Sequence, residues 1–166
     1  MLFENREHGT ILIAPEVVNT FAKFRQTERS IPEAGGYLMG ELFGDQLVIS
    51  VATVPGKGDL QRSTFFRRCK ERGQNLLNRI WKSSGQTLVL AGEWHTHPER
   101  NPAPSDIDVR EASNSFKKNE FPLGFMVVVI VSNAAIVNSW FGVQTLSGLI
   151  RIRRIGYQLW SDQRLR

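Results

Sequence analysis

The sequence predicts an α+β fold in which a mixed β-sheet is covered by about three helices. Short apolar runs suited to strands are separated by segments with helical spacing, and hairpins are mixed with helices without a regular alternation. The chain has 166 residues, of which 41% are hydrophobic, and contains no internal repeat or low-complexity linker. This length suits one domain with a real core, so we expect a single domain over residues 1–166.

The first third of the chain predicts a strand, a helix and a hairpin. Gly9–Ala14 alternates weakly, as strands do, and Pro15 suits the first position of a helix that extends to about Gln26. The expected buried stripe of this helix is Val17, Val18, Phe21, Ala22 and Phe24. The apolar runs Gly35–Gly44 and Asp45–Val54 meet at a Gly-Asp pair, which favours a hairpin turn.

The middle of the chain predicts a loop, a short strand, a helix and a long strand. The composition of Pro55–Asp59 indicates a mobile loop, and Ser63–Arg67 has the residues of a short strand. A helix is expected from about Cys69 to Ser83, closed by Gly85. Its inward residues would be Leu76, Leu77, Ile80 and Trp81. Thr87–His97 then predicts a strand that begins apolar and ends polar.

The last part of the chain predicts a helix followed by three strands. The helix covers Ser105 to about Phe116, with Ile107, Val109 and Ala112 as packing positions. Phe125–Val131 is almost entirely apolar, which predicts a central strand covered on both faces. Ala135–Phe141 would be its antiparallel partner, and the alternation within Ser147–Ile155 favours a half-exposed last strand.

Composition excludes several classes of protein. No apolar run approaches the roughly 18 residues of a membrane span, and the N-terminus lacks a secretory signal, so we expect a cytoplasmic protein. The lone Cys69 rules out an internal disulfide and a thiolate zinc knuckle, and we interpret it as structural. The net charge is +5, but the basic residues are dispersed. We therefore expect an acidic protein partner or a solubilising surface, and no nucleic-acid partner.

The segment that indicates chemistry is Glu93-Trp94-His95-Thr96-His97-Pro98. Because strand side chains alternate, His95 and His97 project from one face and can converge on one metal ion. Ser105 and Asp108 follow, with the spacing of a helix capping box, which taken alone is a sufficient explanation for them. A catalytic zinc uses three protein ligands and leaves one position to water, and His95, His97 and Asp108 supply three. The base that such a site needs is not identified by the local sequence.

The spacing HxH, seven residues, Ser, two residues, Asp resembles the JAMM motif of the Jab1/MPN metalloprotease family. The upstream segment Pro32–Gly40 is similar to the family element that carries a glutamate before a glycine-containing strand. The resemblance implies an MPN/JAB-like, partly barrel-like sheet and one Zn²⁺ per chain, bound by His95, His97 and Asp108. It also implies Glu33 as general base and Ser105 as a donor to the oxyanion.

The resemblance further implies an isopeptidase that hydrolyses the amide bond after the C-terminus of a ubiquitin-like or similarly conjugated protein. The overall likeness is to the bacterial branch, especially the JAMM deconjugases of anti-phage CBASS systems, whose conjugated protein is a nucleotidyltransferase (CD-NTase). Processing of a ubiquitin-like sulfur carrier, a metal-free MPN scaffold and another zinc hydrolase such as a deaminase are the alternatives. The HxE and PCxxC signature of nucleotide deaminases is missing from the sequence.

The expected partner is a protein with an extended C-terminal tail, which would pair with a strand edge near the metal. The loops at residues 55–61 and 99–104 are candidates to frame this tail. Glu93 could hydrogen-bond to a metal ligand, contact the substrate or be a solvated charge, and we favour the solvated charge. His8 is expected to face solvent, whereas Trp81, Trp140 and Phe125 are expected in the core.

Overall fold

The structure is a computed structural model that describes residues 1–119 and 121–156. Within these ranges it contains three α-helices, eleven strands and one short 3₁₀ helix, Ile136–Asn138. The helices are α1 (Pro15–Lys23), α2 (Lys70–Ser83) and α3 (Asp106–Lys118). The strands are β1 (Leu2–Asn5), β2 (Gly9–Ile13), β3 (Gly35–Phe43), β4 (Gln46–Ala52), β5 (Leu60–Arg62), β6 (Phe65–Arg67), β7 (Val89–Thr96), β8 (Met126–Val131), β9 (Trp140–Thr145), β10 (Gly148–Arg151) and β11 (Arg153–Gly156).

Nine strands form one mixed sheet in the order β10-β9-β8-β7-β3-β4-β2-β1-β11. The two strands at the ends of this order, β10 and β11, are separated in the chain only by Ile152. The ends of the sheet therefore meet, and the sheet curls into a nearly closed barrel. This confirms the predicted α+β, partly barrel-like fold. Strands β5 and β6 form a separate two-stranded hairpin.

Strand β8 shows how the core is organised. Within β8, Val127, Val129 and Val131 belong to the main cluster inside the curled sheet, together with Trp94 and Phe21. The alternate residues pack on the other face against α3 and β9, in a cluster formed by Ala112, Met126, Val128, Ile130 and Trp140. The prediction of a central strand covered on both faces is confirmed. Strand β7 lies beside β8 and is parallel to it.

Several predicted packing positions are wrong. Trp81, Ile107 and Val109 are 38%, 61% and 41% exposed, and Ala22 is also exposed. In α3 only Ala112 is buried, because the helix contacts the sheet through a narrow stripe near its middle. The expectation that Trp140 and Phe125 are core residues is confirmed.

Some element boundaries also differ from the predictions. Helix α1 ends at Lys23 instead of Gln26, and the residues after it turn inward. Strands β1 and β5 were not predicted, and the segment before β9 is a 3₁₀ helix instead of a strand. The predicted last strand is interrupted at Ile152 and forms β10 and β11. Residues 157–166, which carry part of the basic C-terminus, lie outside the described residues.

The segment Pro55–Asp59 is held by hydrogen bonds, so the prediction of a mobile loop is wrong. The Asp59 carboxylate is 1% exposed and accepts a hydrogen bond from Arg72 at 2.8 Å. It also accepts hydrogen bonds from the backbone N–H groups of Gly56 and Cys69. This carboxylate ties the loop to the start of α2.

None of the helices in the described residues has the length and apolar composition that a membrane span requires.

Candidate metal centre

The end of β7 presents two histidines on the same face of the sheet. Trp94, which precedes His95 in the chain, has its indole in the core against Phe21. Because strand side chains alternate, His95 and His97 face outward beneath the start of α3. The two Nε2 atoms are 3.1 Å apart. The sequence therefore predicts the convergence of these two imidazoles correctly.

Asp108 reaches the histidines from the first turn of α3. Its Oδ1 atom lies 3.2 Å from Nε2 of His95, and its Oδ2 atom lies 3.5 Å from Nε2 of His97. Ser105 caps the helix and donates from its backbone N–H and its hydroxyl to Oδ2 of Asp108, at 2.7 and 2.6 Å. The capping box thus has a second effect, because it fixes the direction in which the Asp108 carboxylate points.

These three side chains fit a tetrahedral zinc site. Ligands about 2.0 to 2.1 Å from a tetrahedral zinc are separated from each other by about 3.3 Å. The two Nε2 atoms are 3.1 Å apart, His95 lies 3.2 Å from Oδ1 of Asp108 and His97 lies 3.5 Å from Oδ2, so each imidazole is near that spacing from one of the two carboxylate oxygens. All three side chains are half-buried, and one possible ligand atom from each lies within 4.8 Å of the other two.

The protonation states also suit metal binding. Burial and the positive charge of His95 lower the pKa of His97, against the opposing effect of Asp108 and Glu99. Burial acts to raise the pKa of Asp108, but the hydrogen bond and charge of His95 and the hydrogen bonds from Ser105 outweigh it and hold that pKa below its usual range. A neutral imidazole and an ionised carboxylate are the forms that coordinate a cation.

Glu33 approaches the same site from the segment just before β3, the strand that pairs with β7. Gly35 pairs with His95 in the antiparallel ladder, and the Thr96 N–H donates to the Ala34 carbonyl, so Glu33 lies beside His97. The residue is 8% exposed. Burial raises the pKa of Glu33 to about 7; the charge of His95 lowers it, and those of Asp108 and Glu99 raise it. A carboxyl group with this pKa can accept and release a proton near neutral pH.

The two loops expected near the site occupy different positions. Glu99 lies next to the metal residues, with Oε2 3.4 Å from Nδ1 of His97, and its backbone carbonyl accepts a hydrogen bond from the N–H of Asn133. The other loop leads into β5, where the Arg62 carbonyl accepts the N–H of Glu33 and the Gln61 amide donates to the Glu33 carbonyl. The unpredicted hairpin β5–β6 therefore fixes the backbone of Glu33.

Glu93 is not the solvated charge that we favoured. It is 8% exposed, its carboxylate is paired with the guanidinium of Arg68, and the hydroxyl of Ser115 lies 3.4 Å away. Arg68 also lies over the ring of Tyr37 and donates to the Gly36 carbonyl. This buried pair joins β7 to the connection between β6 and α2. No pattern in the sequence indicates this pair, because Arg68 is one of several clustered basic residues.

Sequence reasoning also missed Gln26, which is 0% exposed and donates to the carbonyls of Ile31 and Ser63. A glutamine that follows a helix is usually solvated, so the pattern of a single sequence contains no sign of the burial of Gln26.

His8 is exposed as expected, although its ring stacks on Phe125.

Comparison with known proteins identifies the family. A family model described as prokaryotic homologs of the JAB domain matches residues 16–142. The chain belongs to this family. Residues 16–142 include Glu33 and the whole HxH, Ser and Asp pattern, so the resemblance seen in the sequence is confirmed at the level of the family.

Curated relatives of this JAB-domain chain carry the name CD-NTase/cGAS isopeptidase. The protein of Vibrio cholerae is 30% identical over 142 residues, which cover 86% of both chains. The protein of Pseudomonas aeruginosa is 33% identical over 129 residues, or 77% of this chain and 82% of the relative. The protein of Escherichia coli is 39% identical over 100 residues, or 60% of this chain and 64% of the relative.

The fold of this JAB-domain chain is also similar to a solved structure. The solution structure of a protein from Desulfitobacterium hafniense superposes with a TM-score of 0.61. The match covers 90% of this chain and 95% of the other, at 21% sequence identity. At this identity the similarity shows a shared fold alone.

Proposed function

We propose that this protein is a zinc-dependent isopeptidase that removes a conjugated protein by hydrolysing the amide bond after its C-terminus. The observation that carries the proposal is the convergence of His95, His97 and Asp108, whose ligand atoms all lie within 4.8 Å of one another, beside the buried Glu33. The membership of the JAB-domain family and the name isopeptidase among relatives support the same activity.

In this proposal His95, His97 and Asp108 hold the metal. When bound, zinc supplies Lewis acidity, which makes water more acidic and polarises a carbonyl oxygen. Glu33 accepts the proton of the attacking water and passes it to the nitrogen of the leaving amine, so its pKa near 7 suits both steps. The C–O bond forms first and gives a tetrahedral oxyanion, and the C–N bond then breaks as the nitrogen takes the proton from Glu33. The second proton of the water ends on the amine, so the products are a carboxylate and a protonated amine.

Ser105 has two possible duties that compete for one proton. Its hydroxyl donates to Oδ2 of Asp108 at 2.6 Å, which orients the carboxylate. Donation to the oxyanion, which the family resemblance implies, requires the hydroxyl to turn away from Asp108 during the reaction. The backbone N–H of Ser105 continues to hold Asp108 at 2.7 Å when the hydroxyl turns.

The substrate class that we propose is a CD-NTase joined through its C-terminal tail to another protein, since three relatives are named for a CD-NTase/cGAS protein. An extended tail would add to a strand edge near the metal. Hairpin β5–β6 and the loop 99–104 lie on either side of Glu33 and His97 and would frame the tail. A role in anti-phage defence follows from this substrate and stays a prediction.

Two alternative functions predict different results in a cleavage assay. A sulfur-carrier protease would use the same metal and base, and differs only in the tail that it cleaves. A metal-free scaffold is disfavoured because Glu33, His95, His97, Ser105 and Asp108 are all present.

The test uses purified protein loaded with zinc and two reporter conjugates. One carries the C-terminal tail of a CD-NTase linked to a lysine side chain, and the other carries the tail of a ubiquitin-like sulfur carrier. The proposal predicts zinc-dependent cleavage of the first, with release of an intact tail. Cleavage of the second conjugate alone would favour the sulfur-carrier alternative, and cleavage of neither would favour the scaffold.

A further inference from the structure

A buried hydrogen-bond network joins three segments that converge on Glu33. At its centre is Gln26, which is 0% exposed and lies just beyond the end of α1. Its Nε2 donates to the carbonyls of Ile31 and Ser63, both at 3.0 Å. Its Oε1 accepts from the hydroxyl of Thr96 at 3.0 Å. The amide therefore connects the segment before Glu33, the turn of the β5–β6 hairpin and the strand of the two histidines.

The orientation of this amide is determined by its partners. The Nε2 end faces two carbonyl oxygens, so a flipped amide would place its own oxygen against two acceptors. The acceptor end faces a hydroxyl that has a proton to donate. All the hydrogen-bonding capacity of the Nε2 group is used, which a buried amide requires.

Thr96 passes this constraint to the residue next to Glu33. Its Oγ1 accepts the N–H of Ala34 at 3.0 Å, and its own N–H donates to the Ala34 carbonyl at 2.9 Å. Thr96 is 0% exposed and its side chain points into the core, opposite to His95 and His97. The residue between the two proposed ligands thus holds the base segment from below, while the ligands face the metal.

The hairpin completes the arrangement from the other side. The Glu33 N–H donates to the Arg62 carbonyl at 2.8 Å, and Gln61 donates to the Glu33 carbonyl at 2.9 Å. Both residues are in β5, immediately before the Ser63 carbonyl that Gln26 holds. The backbone of Glu33 is therefore fixed by the hairpin and by β7, and both are bonded to Gln26.

We propose that Gln26 and the Thr96 hydroxyl are positioning residues, which hold Glu33 in register with the His95 and His97 strand. This inference rests on the proposed function, in which Glu33 is the base. A displacement of the base by about 1 Å lowers the rate of a proton-transfer step by about a hundredfold. Loss of the network therefore decreases kcat by about tenfold to a hundredfold, with little effect on KM or on zinc content.

The experiment compares near-isosteric variants of the zinc-loaded protein. Gln26→Met and Thr96→Val remove hydrogen-bonding groups while keeping volume, and Thr96→Ser keeps the hydroxyl. The control is Gln144→Met, since Gln144 is another buried glutamine, 3% exposed, on β9 away from Glu33. We measure kcat and KM on the CD-NTase conjugate, zinc stoichiometry and the thermal unfolding midpoint.

The expected result is a kcat loss of at least about tenfold in Gln26→Met and Thr96→Val, with one zinc per chain. Thr96→Ser should recover most of kcat relative to Thr96→Val. The double variant Gln26→Met/Thr96→Val should lose about as much as either single variant, because the two side chains act through one contact. Gln144→Met should keep kcat close to that of wild type, because Gln144 is on β9 and, among the described residues, donates only to the carbonyl of Thr145.

Four results would overturn the inference. They are a wild-type kcat in Gln26→Met, equal losses in Thr96→Ser and Thr96→Val, loss of zinc as the cause of lost activity, and a kcat loss in Gln144→Met as large as that in Gln26→Met. If the wild-type protein cleaves neither conjugate, the proposed function fails, and amide hydrogen exchange decides the positioning alone. Gln26→Met should then accelerate exchange at Ala34 and leave β8 unchanged, and equal exchange at Ala34 would contradict the network.

Discussion

Two glutamates, Glu33 just before β3 and Glu93 within the neighbouring strand β7, are equally buried, yet their surroundings differ. Glu33 and Glu93 are both 8% exposed. The carboxylate of Glu93 is paired with Arg68, whereas within the described residues the Glu33 carboxylate forms no ion pair with lysine or arginine. A buried carboxylate with a guanidinium partner stays ionised and links two parts of the fold. A buried carboxylate without such a partner has a raised pKa and can exchange a proton near neutral pH. Burial alone therefore does not distinguish the proposed base from a carboxylate that only links parts of the fold.

The largest expected effect comes from making the same substitution at both glutamates. Glu33→Gln should lower kcat by about 10²- to 10⁴-fold, because the amide cannot accept the proton, while zinc binding and fold are kept. Glu93→Gln should keep kcat within about tenfold of wild type, since its carboxylate faces Arg68 instead of the reacting water. Steady-state cleavage assays of the two variants check this, and equal losses would remove the distinction.

The second prediction concerns stability against pH. The raised pKa of Glu33 means that the folded state keeps a proton that the unfolded chain loses between about pH 4.5 and 7. The free energy of unfolding contributed by this group therefore decreases as the pH rises through that window. In chelator-treated protein, Glu33→Gln should match wild type at pH 4 and exceed its stability at pH 8 by up to about 3 kcal/mol.

Urea unfolding at the two pH values measures this difference. Glu93→Gln is the matched control, and it should be less stable than wild type at pH 8, since it weakens the pair with Arg68. A difference between Glu33→Gln and wild type that is the same at pH 4 and pH 8 would contradict the raised pKa.

The Arg68 and Glu93 pair gives the third prediction. Arg68→Ala should lower the free energy of unfolding by about 2 kcal/mol, because it leaves Glu93 buried without its cation. The side chains are 24% and 10% exposed, so the loss is smaller than for a fully buried pair. The double variant Arg68→Met/Glu93→Met should be closer to wild type than Arg68→Ala. A double variant that is less stable than Arg68→Ala would show that the charges themselves stabilise the fold.

The smallest effect distinguishes the two serines that contact acidic side chains of the two regions. Ser105→Ala should cost about 1 kcal/mol of stability through loss of the N-cap, and should also weaken zinc binding, because Asp108 loses a donor. Ser115→Ala removes two 3.4 Å contacts of the hydroxyl, one to Glu93 and one from the Asn119 amide, and should leave zinc affinity unchanged. Zinc competition assays and thermal unfolding of both variants check this, and equal zinc affinities would show that the cap does not orient Asp108.

The comparison also shows which parts of the site can be predicted from sequence. His95, His97 and Asp108 lie within fourteen residues, and strand alternation and helix capping are local rules that bring them together. Glu33 lies about sixty residues earlier, and only the family resemblance connected it to the histidines. The ladder that places Glu33 beside His97 depends on the pairing of β3 with β7, which no local pattern encodes.

The errors have the same physical origin. Glu93 was expected in solvent because its partner Arg68 is distant in sequence, and the burial of a charge depends on that partner. Ile107 and Val109 were expected in the core because they are apolar, yet α3 contacts the sheet through a narrow stripe. Strand β1 is not evident from the sequence because it is short and is held in place by pairing with β2 and β11.

The most direct test of the proposed metal centre is a zinc titration of chelator-treated protein, followed by competition with a chromophoric chelator. Wild type and Glu33→Gln should each bind one equivalent with similar affinity, since Glu33 is assigned to proton transfer and not to coordination. The double variant His95→Ala/His97→Ala should bind none. A full equivalent of tightly bound zinc in that double variant would contradict the assignment of the metal site to the end of β7.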